Sequence, residues 1–234
     1  MVTGASRGIG AACSAALAGA GAQVIAVART KSELQRLRDA HGDRIEIWPE
    51  DIHESPFRRR LEQLPRLDVL VNNAGTNTPQ PFLEVEERVL DEMIALNVRA
   101  AFLTAQSAVR VMLRSGDGGS IINISSQMGH VGSPRRTAYC MTKHAVEGLT
   151  KAMGVELAPL GIRVNSVAPT FIETPMTVPM LEDEEFKEWV LERIPMGRVG
   201  RLEEVVAAVM FLASAEASLV TASSLKVDGG WTAW

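Results

Sequence analysis

Short runs of consecutive apolar residues alternate along this chain with longer stretches whose apolar positions recur every three or four residues. An uninterrupted apolar run bounded by turn residues describes a strand buried on both faces, whereas the longer spacing describes a helix with one apolar face. By this reading residues 23–28, 44–48, 68–71, 119–126, 161–168 and 225–227 are strands, and a very short strand precedes the glycines at the start. Helices are expected over residues 11–18, 31–40, 84–114, 141–157 and 202–213, with a short one between Asp51 and Asp68 and another within 174–200. Strands alternating with helices in this way imply a single α/β domain over residues 1–234. Its seven-stranded parallel sheet would be doubly wound, covered on both faces through right-handed crossovers.

Composition narrows the function classes. With 234 residues, 46% hydrophobic and 22% charged, the chain can bury a sizeable core, and a net charge of −4 argues against a nucleic-acid or membrane-surface partner. The longest apolar run, 205–215, is too short to span a bilayer, and no basic region followed by an apolar core opens the chain, so a cytoplasmic protein is expected. Cys13 and Cys140 lack disulfide-framework or metal-site spacing, and His41, His53, His130 and His144 form no close pair, so no metal is expected.

The opening Thr3-Gly4-Ala5-Ser6-Arg7-Gly8-Ile9-Gly10 leads into a good helix former and then into the strand at 23–28. Glycines at 4, 8 and 10 permit a tight turn and let the backbone approach a pyrophosphate at the positive end of the helix. The spacing differs from the usual G-x-G-x-x-G fingerprint and also suits an ordinary glycine-rich turn, but the β-α-β context is the one a Rossmann-type dinucleotide site requires. A site for NAD places a carboxylate after the second strand to accept the ribose 2′-hydroxyl. Here that residue is Arg29, and Arg7 lies in the glycine loop. Guanidinium groups suit a 2′-phosphate, which favours NADP over NAD; the alternative is two solvated arginines. Asp51 is placed to meet the adenine edge and Ile52 the ring face, a capped loop being the competing reading. After the fourth strand, Asn73, Ala74 and Gly75 are small enough to let a flat cofactor lie close.

Tyr139 and Lys143 are four residues apart, so on a helix they share one face. A fixed cation beside a phenol favours the phenolate and brings a pKa of ~10 toward the working range of an acid or base. Ser126 ends the fifth strand, at the edge where open parallel sheets keep their ligands. Taken alone, the Tyr and Lys also describe a solvated face, and the Ser a turn. Asn97 sits inside the 84–114 helix, where Asn competes for backbone bonds. It is either a locally satisfied polar group or the holder of a water in a proton path to Lys143. Pro169, Thr170, Ile172 and Thr174 follow the sixth strand, where a nicotinamide amide would need partners.

Residues 174–200 place Phe186, Trp189, Val190 and Ile194 on one helical face. This is either a surface helix packed on the core or a substrate lid whose Met176, Met180 and Leu181 line a pocket. Arg135 and Arg136 either meet an anionic substrate or are solvated.

Jointly, the glycine loop, Asn72-Asn73-Ala74-Gly75, Asn97, Ser126, Tyr139-x-x-x-Lys143 and Val227-Asp228-Gly229-Gly230 resemble, in order and spacing, the motifs of the short-chain dehydrogenase/reductase family over essentially the whole chain. Within it, Ala28-Arg29-Thr30, residues 81–85, Ser125-Ser126-Gln127 and Tyr139-Cys140 look like the tetrameric carbonyl and L-xylulose reductases. The bacterial 3-oxoacyl-carrier-protein reductases are the competing resemblance. The resemblance implies NADP(H)-dependent hydride transfer between the nicotinamide and a ketone or secondary alcohol, such as a small carbonyl compound or sugar. In it Tyr139 is the acid/base, Ser126 the donor to the carbonyl oxygen, Lys143 the ribose contact and pKa modulator, and Asn97 the water holder. It also implies a homotetramer, which apolar faces on the 84–114 and 141–157 helices, with Trp231 and Trp234, would serve. A dinucleotide-binding sensor without catalysis would share the fold, yet all four catalytic residue types are present. Thr170 and Ala222 stand where the family commonly has Gly, and the strand ahead of the glycine loop is short.

Overall fold

The computed structural model describes residues 1–233. The apolar runs form β1 (Val2–Thr3), β2 (Val24–Ala28), β3 (Ile45–Pro49), β4 (Val69–Asn72), β5 (Gly119–Ile124), β6 (Ile162–Pro169) and β7 (Ser224–Val227), joined in one parallel sheet in the order β3-β2-β1-β4-β5-β6-β7. The strand order reverses at β1, whose Val2 pairs with Ala26 on one side and Val71 on the other. Such a reversal splays the loops at the carboxyl ends and opens a crevice there.

The amphipathic stretches form α1 (Gly8–Gly19), α2 (Lys31–His41), α3 (Ser55–Glu62), α4 (Glu87–Ile94), α5 (Ala101–Ser115), α6 (Thr137–Leu157), α7 (Glu184–Glu192) and α8 (Leu202–Ala213). On one face Cys13, Leu17, Leu34, Leu37, Val205 and Val209 of α1, α2 and α8 pack with Val24, Val71 and Ile122. On the other, Phe57, Leu61, Ala105, Met112 and Leu157 of α3, α5 and α6 pack with Leu70, Ile121 and Val164. No helix among the described residues is long and apolar enough to cross a membrane.

Three departures from the sequence reading bear on the site. The helix expected over 84–114 is α4, a π-helical turn at Ala95–Ala100, and α5. The apolar pattern runs on through the join because a π turn adds a residue without ending the helix. Second, α6 begins at Thr137, ahead of the expected start, which puts Tyr139 in its first turn. Third, Trp231 is not spare surface: it is 7% exposed and packs at 5.8 Å from Phe171 and 5.7 Å from Trp189, ring centre to ring centre. Trp234 lies outside the described residues. Apolar exposure on the two long helices comes instead from Phe102, Leu113, Met141 and Val155.

Candidate active site

The backbone leaves β1 through Gly4, whose φ of +64° is a conformation side chains resist. Gly10 is under a different constraint, because a Cβ there would lie 2.3 Å from the Gly4 carbonyl oxygen and 2.5 Å from Asn73 Nδ2. Asn73 fastens the loop across the sheet. Its Nδ2 donates to the carbonyls of Thr3 and Gly4 at 2.9 and 3.2 Å, and the N–H groups of Asn73 and Ala74 donate to Thr3 Oγ1 at 3.0 and 3.1 Å. Asn73, expected as a cofactor contact, thus spends its side chain on holding the turn. Helix α1 starts at Gly8 without a side-chain cap or an acid in its first turn. Its leading N–H groups remain available to an anion.

Beside this helix end lies a cleft of about 340 Å³ lined by Gly4, Ser6, Arg7, Gly8, Ile9, Arg29, Asp51, Ile52, Asn73, Ala74, Gly75 and Thr174. Gly10 is buried behind it, absent from the lining because its work is steric. Arg7 and Arg29 are exposed, and neither forms an ion pair among the described residues. Asp51 accepts from the His53 N–H at 3.0 Å and sits 2.6 Å from His53 Nδ1. Burial would raise its pKa, but the bonds from His53 and the charges of His53 and Arg29 outweigh it and hold the carboxyl below its usual range.

A second cleft, about 140 Å³, continues from the first past Ile9, Asn73, Gly75 and Thr174. Here Ser126, Tyr139, Lys143, Pro169, Thr170 and Ile172 converge. The arrangement follows from the chain: β5 delivers Ser126 at its carboxyl end, α6 presents Tyr139 and Lys143 one turn apart, and β6 delivers Pro169 and Thr170. Ser126 Oγ donates to Gln127 Oε1 at 2.7 Å and accepts from the Met128 N–H at 3.1 Å.

Burial is the largest influence on both Tyr139 and Lys143. Burial pushes the Tyr139 phenol up to about 12; Ser126 and the Arg136 guanidinium pull it down less strongly. Burial likewise lowers Lys143 to about 8, against the opposing charge of Glu147. The Lys143 Nζ lies 5.5 Å from the centre of the Tyr139 ring and donates to the Ile124 carbonyl at 2.8 Å.

Asn97 stands behind Gly75, 2% exposed, inside the π turn. Its Nδ2 donates to the Thr76 carbonyl at 2.9 Å and Thr142 Oγ1 at 3.1 Å, and its Oδ1 accepts from the Thr76 N–H at 2.8 Å. These bonds tie the loop after β4 to α6 and satisfy the side chain locally. Thr76 and Thr142, which hold Asn97, and Gln127, which holds Ser126, were not singled out as site residues in the sequence; only the position of Gln127 next to Ser126 hinted at a role.

The surroundings fit a nicotinamide dinucleotide. The glycine turn leaves no room for side chains where a pyrophosphate would approach α1, and Thr170 Oγ1 is buried in the second cleft without a hydrogen-bond partner among the described residues. A buried hydroxyl left unpaired calls for a polar ligand. The start of the 174–200 stretch borders this end through Thr174, Met176 and Thr177. Phe186 and Trp189 of α7 stack at 5.7 Å, and Phe186 meets Phe171 edge-on at 5.6 Å, while Met176 stays 44% exposed at the mouth of both clefts. Among the described residues, no group of three or more His, Cys, Asp or Glu could hold a metal ion.

A family profile described as enoyl-(acyl carrier protein) reductase matches residues 4–232. The chain is 40% identical over 235 residues to L-xylulose reductase of Bos taurus, covering all of this chain and 96% of the relative. It is 39% identical over 238 residues to the 3-oxoacyl-(acyl-carrier-protein) reductase FabG of Thermotoga maritima, covering 98% and 96%. A crystal structure from Beutenbergia cavernae, assigned as an NAD(P)-dependent gluconate 5-dehydrogenase and holding NADP at low occupancy, superposes with a TM-score of 0.93 at 37% identity, covering 100% of this chain and 96% of that one. Fold, site and relatives agree: the chain belongs to the short-chain dehydrogenase/reductase family, oxidoreductases that move a hydride between a nicotinamide dinucleotide and a carbonyl or alcohol.

Proposed function

We propose that the protein is an NADP(H)-dependent reductase of a ketone, with Tyr139, Ser126, Lys143 and Asn97 as its catalytic set. The observation that carries the proposal is the meeting of phenol, hydroxyl and ammonium in a cleft continuous with the glycine-lined one. Bound in those clefts, the reduced nicotinamide supplies the hydride. The protein must then place the carbonyl and deliver a proton to its oxygen. Tyr139, with a pKa near 12, is a protonated phenol at neutral pH and so is ready to give that proton. Ser126 stabilises the developing oxyanion by turning its O–H from Gln127 toward it. Lys143 reaches the cofactor ribose and its charge favours return of the phenol to its working state. Asn97 keeps the loop at Thr76 against α6, and so positions the cleft wall.

The preference for NADP is supported by Arg7 and Arg29, two cations at the adenine end of the larger cleft. Residues 174–200 serve as the substrate lid, anchored by their aromatic face and free at Met176. The exposed apolar residues of α5 and α6 support a homotetramer, and the cytoplasm is the compartment that free, buried Cys13 and Cys140 suit. A second reading, reduction of a 3-oxoacyl thioester on a carrier protein, draws on the full-length likeness to FabG. NADPH oxidation followed with small ketones, ketoses and a 3-oxoacyl thioester separates the two. Tyr139→Phe should reduce turnover at least a thousandfold while NADPH still binds, and undiminished turnover would remove Tyr139 from the reaction.

A further inference from the structure

We propose that Arg136 is the anion-binding subsite for the substrate, and that the reacting ketone or alcohol carries a carboxylate a short carbon chain away from the reacting carbon. Resting on the reductase reading above, this names the substrate class that site accepts.

Arg136 is the only buried arginine among the described residues, at 6% exposure. The arginines that do find a carboxylate, among them Arg60, Arg110 and Arg198, have side chains 44–68% exposed, where pairing matters least. Arg136 has no carboxylate within salt-bridge distance among the described residues. Among the described residues its guanidinium donates only to the Met180 sulfur, at 3.6 Å, and it lies 5.9 Å from the centre of the Phe186 ring. A thioether is a weak acceptor, and five donors cannot be satisfied by it. Burying an unpaired cation is expensive, and burial does pull the guanidinium's pKa down.

The position gives that uncompensated charge a use. Arg136 is the N-cap residue of α6, three residues before Tyr139, and its charge acts on the Tyr139 phenol. Met180 and Phe186 belong to the 174–200 stretch, so the guanidinium touches that stretch while its charge acts on the candidate acid. A planar carboxylate accepts a guanidinium's paired donors in a single geometry, so one end of the substrate would be held while its carbonyl meets Tyr139 and Ser126. Neighbouring Arg135 is exposed with φ of +59° and makes no comparable contact.

The test uses the purified full-length protein with NADPH and straight-chain keto acids of increasing carbonyl-to-carboxylate distance, each paired with its neutral amide. Wild type should prefer the best acid over its amide by on the order of tenfold to a hundredfold in kcat/KM, mostly through KM. Arg136→Met, matched in length and apolar, should bring that ratio close to one, and Arg136→Lys should restore part of it. A wild-type ratio near one overturns the proposal, as does an Arg136→Met ratio equal to that of wild type. Should Arg136→Met fail to fold, inhibition of neutral-ketone reduction by a saturated short-chain carboxylate decides in wild type alone: competitive inhibition supports the subsite and none overturns it. Absence of turnover with every ketone, acid or neutral, would instead defeat the underlying reductase reading.

Discussion

The Lys143 ammonium donates to the carbonyl oxygen of Ile124 at 2.8 Å, in a setting only 5% exposed. Burial lowers its pKa from 10.5 to about 8, so between these values the unfolded chain binds a proton that the folded chain does not. Stability therefore rises with pH across that window, the charged form being the one folding disfavours. The shift corresponds to on the order of 3 kcal/mol. Measured without cofactor by denaturant unfolding, wild type should gain about that much relative to Lys143→Met between pH 8 and 10.5. A constant difference across the window would refute the depressed pKa.

Tyr139 is the only tyrosine in the chain. The phenolate's near-ultraviolet absorbance consequently reports one group, and in the cofactor-free protein it should appear with a midpoint near 12. Oxidised cofactor, bringing a positive ring to the cleft, should move that midpoint downward. A midpoint at the ordinary 10 would mean that burial does not govern this phenol.

Asn73→Ala removes the two bonds from Nδ2 to the carbonyls of Thr3 and Gly4. The expected loss is about 1–3 kcal/mol of stability, together with weaker cofactor binding, because the glycine turn loses its brace. Urea unfolding and a NADPH titration read the two effects separately.

Arg29 is exposed at the cleft and free of ion pairs among the described residues. Arg29→Ala should raise the KM for NADPH on the order of tenfold to a hundredfold and leave that for NADH nearly unchanged. Equal effects on both cofactors would place the guanidinium away from the 2′-phosphate.

Ala222 holds φ at +55°, and its Cα and Cβ crowd the place where a Cβ on Gly154 would sit, at 2.7 Å. A left-handed alanine is strained. Ala222→Gly should stabilise by about 0.5 to 1 kcal/mol, a rise in Tm of about 2 °C by calorimetry, whereas Gly154→Ala should destabilise.

Much of this was legible in the residues. The parallel strands read well because double-sided burial leaves continuous apolar runs, and Ser126, Tyr139 and Lys143 read well because a strand end and a helical repeat fix them locally. What escaped depends on partners far off in the chain. Asn73 reads as a residue facing the cofactor, but its bracing of the turn depends on Thr3 and Gly4, some seventy positions earlier. Arg135 and Arg136 are adjacent and chemically identical in sequence, yet one is exposed and the other buried under Met180 and Phe186. The direction of the Tyr139 shift was misread for the same reason: spacing reveals a neighbouring ammonium but not how much water folding strips away.

The π turn at Ala95–Ala100 means that one surplus residue sits within an otherwise regular rod. Deleting one residue there would close the wide turn into an ordinary α-helical one, leaving the helix unbroken and α4 and α5 close to their present orientation. The change would fall on the turn itself, where Asn97 would lose the widened backbone that aims it at Thr76 and Thr142. A frame-preserving loss of three nucleotides at this point should therefore spare the helix and strike the tether between the loop after β4 and α6.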